Sequence, residues 1–209
     1  MGIDFITIII IAATVVMSLK GFKDYSFFEK NKFNIGRIRR GEQSRMIASG
    51  FLHVDQRHLF FNMITLYFFS GIVISRLGQV KFAIIYFGSL LAGNLLSYSF
   101  HKGNANYTAV GASGAVTGVI YSAILFDPWM KINYVIPGFL FGIGYLFYSI
   151  YGMKANNDNI GHDAHFGGAI GGYVLTLIMA PFLLDEILMV GVLAIPIVVL
   201  FIMKRAGQI

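Results

Sequence analysis

Residues 109–126 read AVGASGAVTGVIYSAILF, eighteen residues without a charge, headed by a serine, Ser113, framed by small residues. A mostly apolar run of about 17–25 residues is what one helical crossing of a bilayer requires. Six more uncharged runs of suitable length occur: Phe5–Leu19, Leu59–Ser75, Phe82–Phe100, Ile132–Tyr151, Phe166–Leu184 and Ile187–Met203. The breaks between them, at 76–81, 101–104, 127–128, 154–163 and 185–186, carry charges or turn residues. Unpaired strand edges are not tolerated in hydrocarbon, so the reading is an all-α polytopic membrane protein with seven helices.

Composition agrees. Of 209 residues 56% are hydrophobic and 12% charged, with a mean hydropathy of +0.70. A soluble domain would carry about twice that share of charge. The 24 glycines suit helices that approach closely in lipid. With no cysteine there is no disulfide framework and no thiol nucleophile. The first run has no basic leader and is followed by no small-residue cleavage site, so it reads as a retained helix rather than a signal peptide.

Residues 20–57 form the one long polar stretch, with nine Lys/Arg, four acids and interleaved aromatics such as Phe22, Tyr25 and Phe28. That composition suits a segment lying on lipid headgroups. Nucleic acid is the other partner such a stretch can take. Its position between two membrane runs argues against that use.

Parity then gathers the chemistry. The second, fourth and sixth runs all start on the side of the 20–57 loop. They bring His58 and Asn62, Ser113, and His165 to one depth. Polar groups are costly in lipid and tend to mark function. Ser113 alone is weak, because Gly111, Gly114, Ala115 and Gly118 also suit helix packing. A serine with an imidazole is the minimum for an activated nucleophile. His58 and Asn62, four residues apart, share a helix face, and a side-chain amide there could steady an oxyanion. His53 reads as a loop-to-helix tether. His53, His58, His162 and His165 have no zinc-like spacing, so neither metal nor cofactor is expected.

At these residues the chain resembles the rhomboid family of intramembrane serine proteases. The matching pieces are His53-(x4)-His58-(x3)-Asn62, Gly111-Ala112-Ser113-Gly114, and Ala164-His165-Phe166-Gly167-Gly168-(x3)-Gly172. The resemblance implies a six-helix domain over residues 1–184, with 20–57 as an interfacial first loop. Residues 185–209 would add a seventh, C-terminal transmembrane helix. It further implies Ser113 as nucleophile and His165 as general base, with Asn62, His58 and the Ser113 N–H as oxyanion donors. Gly111 and Gly114 would support the serine, and Gly168 and Gly172 would let the sixth helix close on the fourth. Asp163 would cap the sixth helix. Two departures stand out: no tryptophan precedes Arg45, and Thr117 occupies a position where rhomboids often place an aromatic against the imidazole.

The implied substrates are transmembrane proteins, in contact with membrane lipid. The implied location is the cell (inner) membrane, with the site facing outward. Charge opposes that orientation: the loop side holds 13 Lys/Arg and the other side three, and positive charge normally stays inside. A structured interfacial loop can escape that rule. The alternatives are a catalytically silent rhomboid-like protein that binds transmembrane helices, and a small transporter. The chain lacks the internal repeat and buried acid that would favour the transporter.

Overall fold

A computed structural model describes residues 4–155 and 160–209. The backbone bonds to itself almost throughout, as lipid demands, and builds an all-α polytopic membrane bundle. Nine α-helices occur among the described residues: α1 (Phe5–Lys23), α2 (Tyr25–Asn31), α3 (Ile35–Arg39), α4 (Arg45–Ala48), α5 (Gln56–His101), α6 (Ser113–Phe126), α7 (Gly138–Ala155), α8 (His162–Met179) and α9 (Ile187–Arg205). By length and composition α1, α5 and α9 can each cross a membrane, and α6 is a shorter apolar helix.

The 59–75 and 82–100 runs come out as the two arms of α5, 46 residues long and broken at Gly78 (φ 79°, ψ 167°). That conformation is essentially restricted to glycine. The chain folds back there. Asn94 on the second arm donates to the Met46 carbonyl at the loop side (2.6 Å), whereas Lys81, just past the bend, reaches Met179 at the opposite end (3.5 Å).

The start of α1 and the end of α9 lie on opposite sides. Ser18, late in α1, bonds the Phe51 carbonyl on the loop side, so α1 starts on the far side. Lys204, late in α9, donates to Ser99 and lies over the Phe100 ring, so α9 finishes on the loop side. An odd number of crossings follows, as the seven-run reading expects.

Several boundaries differ from the sequence reading. The 109–126 run becomes helical only at Ser113, because Thr108–Ala109 pairs as strand β2 with Phe33–Asn34, strand β1. Residues 131–137 form a hairpin of β3 (Lys131–Ile132) and β4 (Ile136–Pro137), turning through Asn133 and Tyr134 at positive φ. Pro137, inside the 132–151 run, therefore precedes α7. The 166–184 run divides into the end of α8 and a 3-10 turn at Pro181–Asp185. Part of the 154–163 break lies outside the described residues.

The loop at 20–57 is folded, not merely adsorbed. It holds α2, α3, α4, β1 and a 3-10 turn at Ser49–Phe51. Arg45, 5% exposed, ties it together by donating to the carbonyls of Glu29 and Lys32 and to the Glu42 carboxylate. The Arg45 hydrogen bond is the main reason the Glu42 carboxyl is held below the usual range. Arg45 thus anchors the loop without the tryptophan that rhomboids often place before it.

Candidate active site

The loop cradles the segment that leads into Ser113. Beyond the β1–β2 pairing, the Gly111 N–H donates to the Ser49 carbonyl (3.0 Å) and Asn94 lies 3.4 Å from the Ser49 hydroxyl. Gly111 has φ +135°, a value L side chains rarely adopt. A Cβ there would also strike the His58 ring, 2.7 Å from Cε1, and lie 3.5 Å from Ser113 Oγ. His58 and the serine hydroxyl thus flank the same point.

His53, buried at 1% exposure, does more than tether the loop. Its Nδ1 lies 2.9 Å from Ser18 Oγ, and its Nε2 accepts the Ala112 N–H at 3.4 Å. Its ring meets His58 edge to face, with centroids 4.8 Å apart. Burial above all, and then the neighbouring His58, push the His53 imidazole down to about 3. His53 therefore stays neutral at physiological pH and links α1 to the residue preceding Ser113.

Asn62 is buried, and its amide donates to the His58 carbonyl one turn earlier (2.9 Å). One of its two N–H groups is thereby used within α5. His58 is anchored in turn, its N–H donating to the capping carboxylate of Asp55 (2.7 Å).

Glycines decide how α8 meets its neighbours. A Cβ at Gly168 would collide with the Gly114 carbonyl, and one at Gly172 with the Gly118 carbonyl. A Cβ at Gly114 would in turn lie 3.1 Å from the Ala164 carbonyl. The residue after Ser113 is therefore packed on the residue before His165. One turn of glycine spacing places the heads of α6 and α8 together at backbone-to-backbone distance.

His165 is held from α7, which the sequence did not suggest. The Tyr145 hydroxyl lies 2.9 Å from His165 Nδ1, and the two rings stack with centroids 5.9 Å apart, 25° from parallel. The aromatic missing at Thr117 is thus supplied by another helix. Tyr145 sits in a run rich in aromatics, Tyr145-Leu146-Phe147-Tyr148, where nothing in the pattern sets it apart.

Asp163 does not cap α8, because Gly161 occupies that position. Its carboxylate lies 3.2 Å from His101 Nε2, and His101 stacks on Tyr107 at 3.7 Å. Burial, and then the Asp163 charge, push the Tyr107 hydroxyl up. This cluster joins the end of α5 and the following loop to the head of α8. His53 lies against the His58 ring, and His162 against the His165 ring at 6.3 Å. Among the described residues no three His, Asp or Glu side chains come together as a metal centre would need.

Comparison with known proteins bears on this arrangement. Residues 40–182 match the family model described as Rhomboid domain. The chain is 30% identical to "Putative rhomboid protease YdcA" of Bacillus subtilis (strain 168), over 70% of its own length and 71% of that protein's. It is 25% identical to "RHOMBOID-like protein 12, mitochondrial" of Arabidopsis thaliana, over 78% of its own length and 54% of the relative's. Against "Presenilin-associated rhomboid-like protein, mitochondrial" of Homo sapiens the identity is 30%, over 62% of this chain and 36% of the other. The chain thus spans about half and about a third of the lengths of these last two.

Proposed function

We propose, from the premise that this chain belongs to the rhomboid family, that it is an intramembrane serine endopeptidase acting through Ser113 and His165. One observation carries the proposal: Gly114, next to Ser113, packs on the Ala164 carbonyl, next to His165. Ser113 Oγ attacks a substrate carbonyl carbon while its proton passes to His165. Electron density collects on the carbonyl oxygen, where His58, Asn62 and the Ser113 N–H donate to it. The C–N bond then breaks, and His165 returns the proton to the leaving amine. Water attacks the acyl-serine by the same route and frees the enzyme.

The substrates are transmembrane segments of membrane proteins. A helical backbone is bonded to itself and closed to a nucleophile, so the substrate unwinds locally, most easily near Gly or Pro. The protein sits in the cell (inner) membrane in contact with lipid, N-terminus inside, with Ser113 facing outward. The folding of the basic loop around Arg45 supports this orientation against the charge count.

The test is cleavage of a single-span reporter protein in proteoliposomes. The wild type is expected to cut within or beside the span, and Ser113→Ala and His165→Ala to lose at least about 10³-fold. A folded wild type that binds the reporter without cutting it would point instead to the catalytically silent helix binder.

A further inference from the structure

The folded loop holds a polar cavity of about 520 Å³, a size typical of small-molecule sites, on the Ser113 side of the bundle. Asn34 and Thr108, partners in the β1–β2 pairing, both line it. So do four cations, Lys30, Lys32, Arg37 and Arg45, and two carboxylates, Glu29 and Glu42. The carboxylates are already spent. Glu29 holds Lys32 at 2.6 Å, and Glu42 holds the buried Arg45 at 2.6 Å. Two cations are left over. Lys30 is exposed and makes no ion pair among the described residues, and Arg37 reaches Glu42 only at 3.4 Å with its side chain 56% exposed. Asn106 and Thr108 add an amide and a hydroxyl whose side chains are uncommitted among the described residues.

We propose that this cavity binds one phosphate ester of net negative charge, the headgroup phosphodiester of an anionic membrane lipid. A guanidinium offers a phosphate a fork of N–H donors, and an ammonium adds a point charge. Arg37 on α3 and Lys30 on α2 supply these two, with Asn106 and Thr108 as neutral donors. The loop begins where α1 ends at Lys23 and finishes where α5 starts at Gln56. It therefore lies at the level of the span ends, where lipid headgroups lie. Tyr25, 77% exposed on α2, is an amphipathic ring of the kind that settles at that level. A zwitterionic headgroup brings its own cation, which the unspent Lys30 and Arg37 repel. An anionic headgroup does not. A phosphate held here joins α2 and α3 to β2, and β2 leads through Gly111 to Ser113. Lipid composition thus reaches the segment that carries the serine. The site itself does not depend on Ser113 being a nucleophile.

The test uses the full chain, delipidated in neutral detergent micelles and titrated separately with dioctanoyl phosphatidylglycerol, dioctanoyl phosphatidylcholine and inorganic phosphate. Binding is read as mass retained in native mass spectrometry and as a rise in melting temperature. The wild type is expected to retain one phosphatidylglycerol and to melt higher as that lipid is added, and phosphatidylcholine to do neither. The double variant Lys30→Gln/Arg37→Gln should bind about 30-fold more weakly, through the loss of two basic residues at an anionic headgroup. Lys30→Gln alone, at an exposed position that the fold does not use, should lose about 5-fold. Arg39→Gln/Arg40→Gln removes the same charge from the same loop outside the cavity and should bind like the wild type. Inorganic phosphate that displaces the lipid, with the same dependence on Lys30 and Arg37, would keep the phosphate site and make the free anion its ligand. A folded wild type that retains neither lipid nor phosphate, equal retention of phosphatidylcholine, or an equal loss in the two double variants would overturn the inference. Neither readout needs cleavage, so a failure of the protease reading leaves this result unchanged.

Discussion

His53 uses both ring nitrogens, one toward Ser18 and one accepting the Ala112 N–H, and a second ring proton would point Nε2–H at the Ala112 N–H. Its folded-state value near 3 lies below an unfolded one near 6.5. The unfolded chain therefore gains a proton first as pH falls. Stability is complete above about pH 6.5 and declines below it, by up to about 1.4 kcal/mol per pH unit from this group. Thermal unfolding in detergent between pH 7.5 and 5.5 should show that slope in the wild type. In His53→Asn the chain should be less stable at pH 7.5 and the slope flatter. Equal slopes would remove His53 as the cause. At this scale the sequence spoke clearly for Ser113 and His165, through spacing and parity. It was silent on Tyr145, because a tyrosine among aromatics in a lipid-facing run carries no pattern.

Between elements, the decisive spacing is glycine against carbonyl. Gly168→Ala should cost about 3 kcal/mol, at the upper end of overpacking penalties, because the Gly114 carbonyl belongs to backbone and cannot swing aside. Gly144 faces open space within α7, so Gly144→Ala should stabilise by about 0.5–1 kcal/mol through helix propensity alone. Melting temperatures of the two variants should therefore move in opposite directions. Gly78→Ala should cost about 1–3 kcal/mol, since the bend of α5 needs a conformation alanine resists. The sequence marked these glycines as small residues between helices. It also separated the two arms of α5 as distinct runs, and the non-helical Gly78 between them keeps them apart in the structure. It did not place Pro137 outside α7, where Gly142 is also pinned by the Tyr121 hydroxyl at 2.7 Å.

For the molecule as a whole, hydropathy alone made the bundle legible: lengths of uncharged sequence convert directly into helices when no water is present to satisfy the backbone. Orientation is where composition and the proposed topology disagree, because Lys/Arg counting treats loops as unstructured chain. Here the most basic loop is a folded scaffold whose charges are partly committed, Arg45 inside it and Lys32 paired with Glu29. A tag after Ile209 should be accessible to external protease in intact cells. A protected tag would reverse the orientation while leaving the Ser113 side intact, because the crossings keep α5, α6 and α8 heads together. The bond between Tyr145 and His165 also ties the head of α8 to α7, and the Tyr173 hydroxyl ties α8 to α9 through the Val190 carbonyl (2.9 Å). The seventh helix is thus joined to the bundle by a specific bond. The central claim is that Ser113 is a nucleophile activated by His165. A fluorophosphonate probe, which forms a stable bond only with an activated serine, measures that most directly. The wild type should gain one probe mass on the peptide carrying Ser113, and Ser113→Ala and His165→Ala should gain none. A folded wild type that stays unlabelled, or a Ser113→Ala variant that labels equally well, would contradict the account.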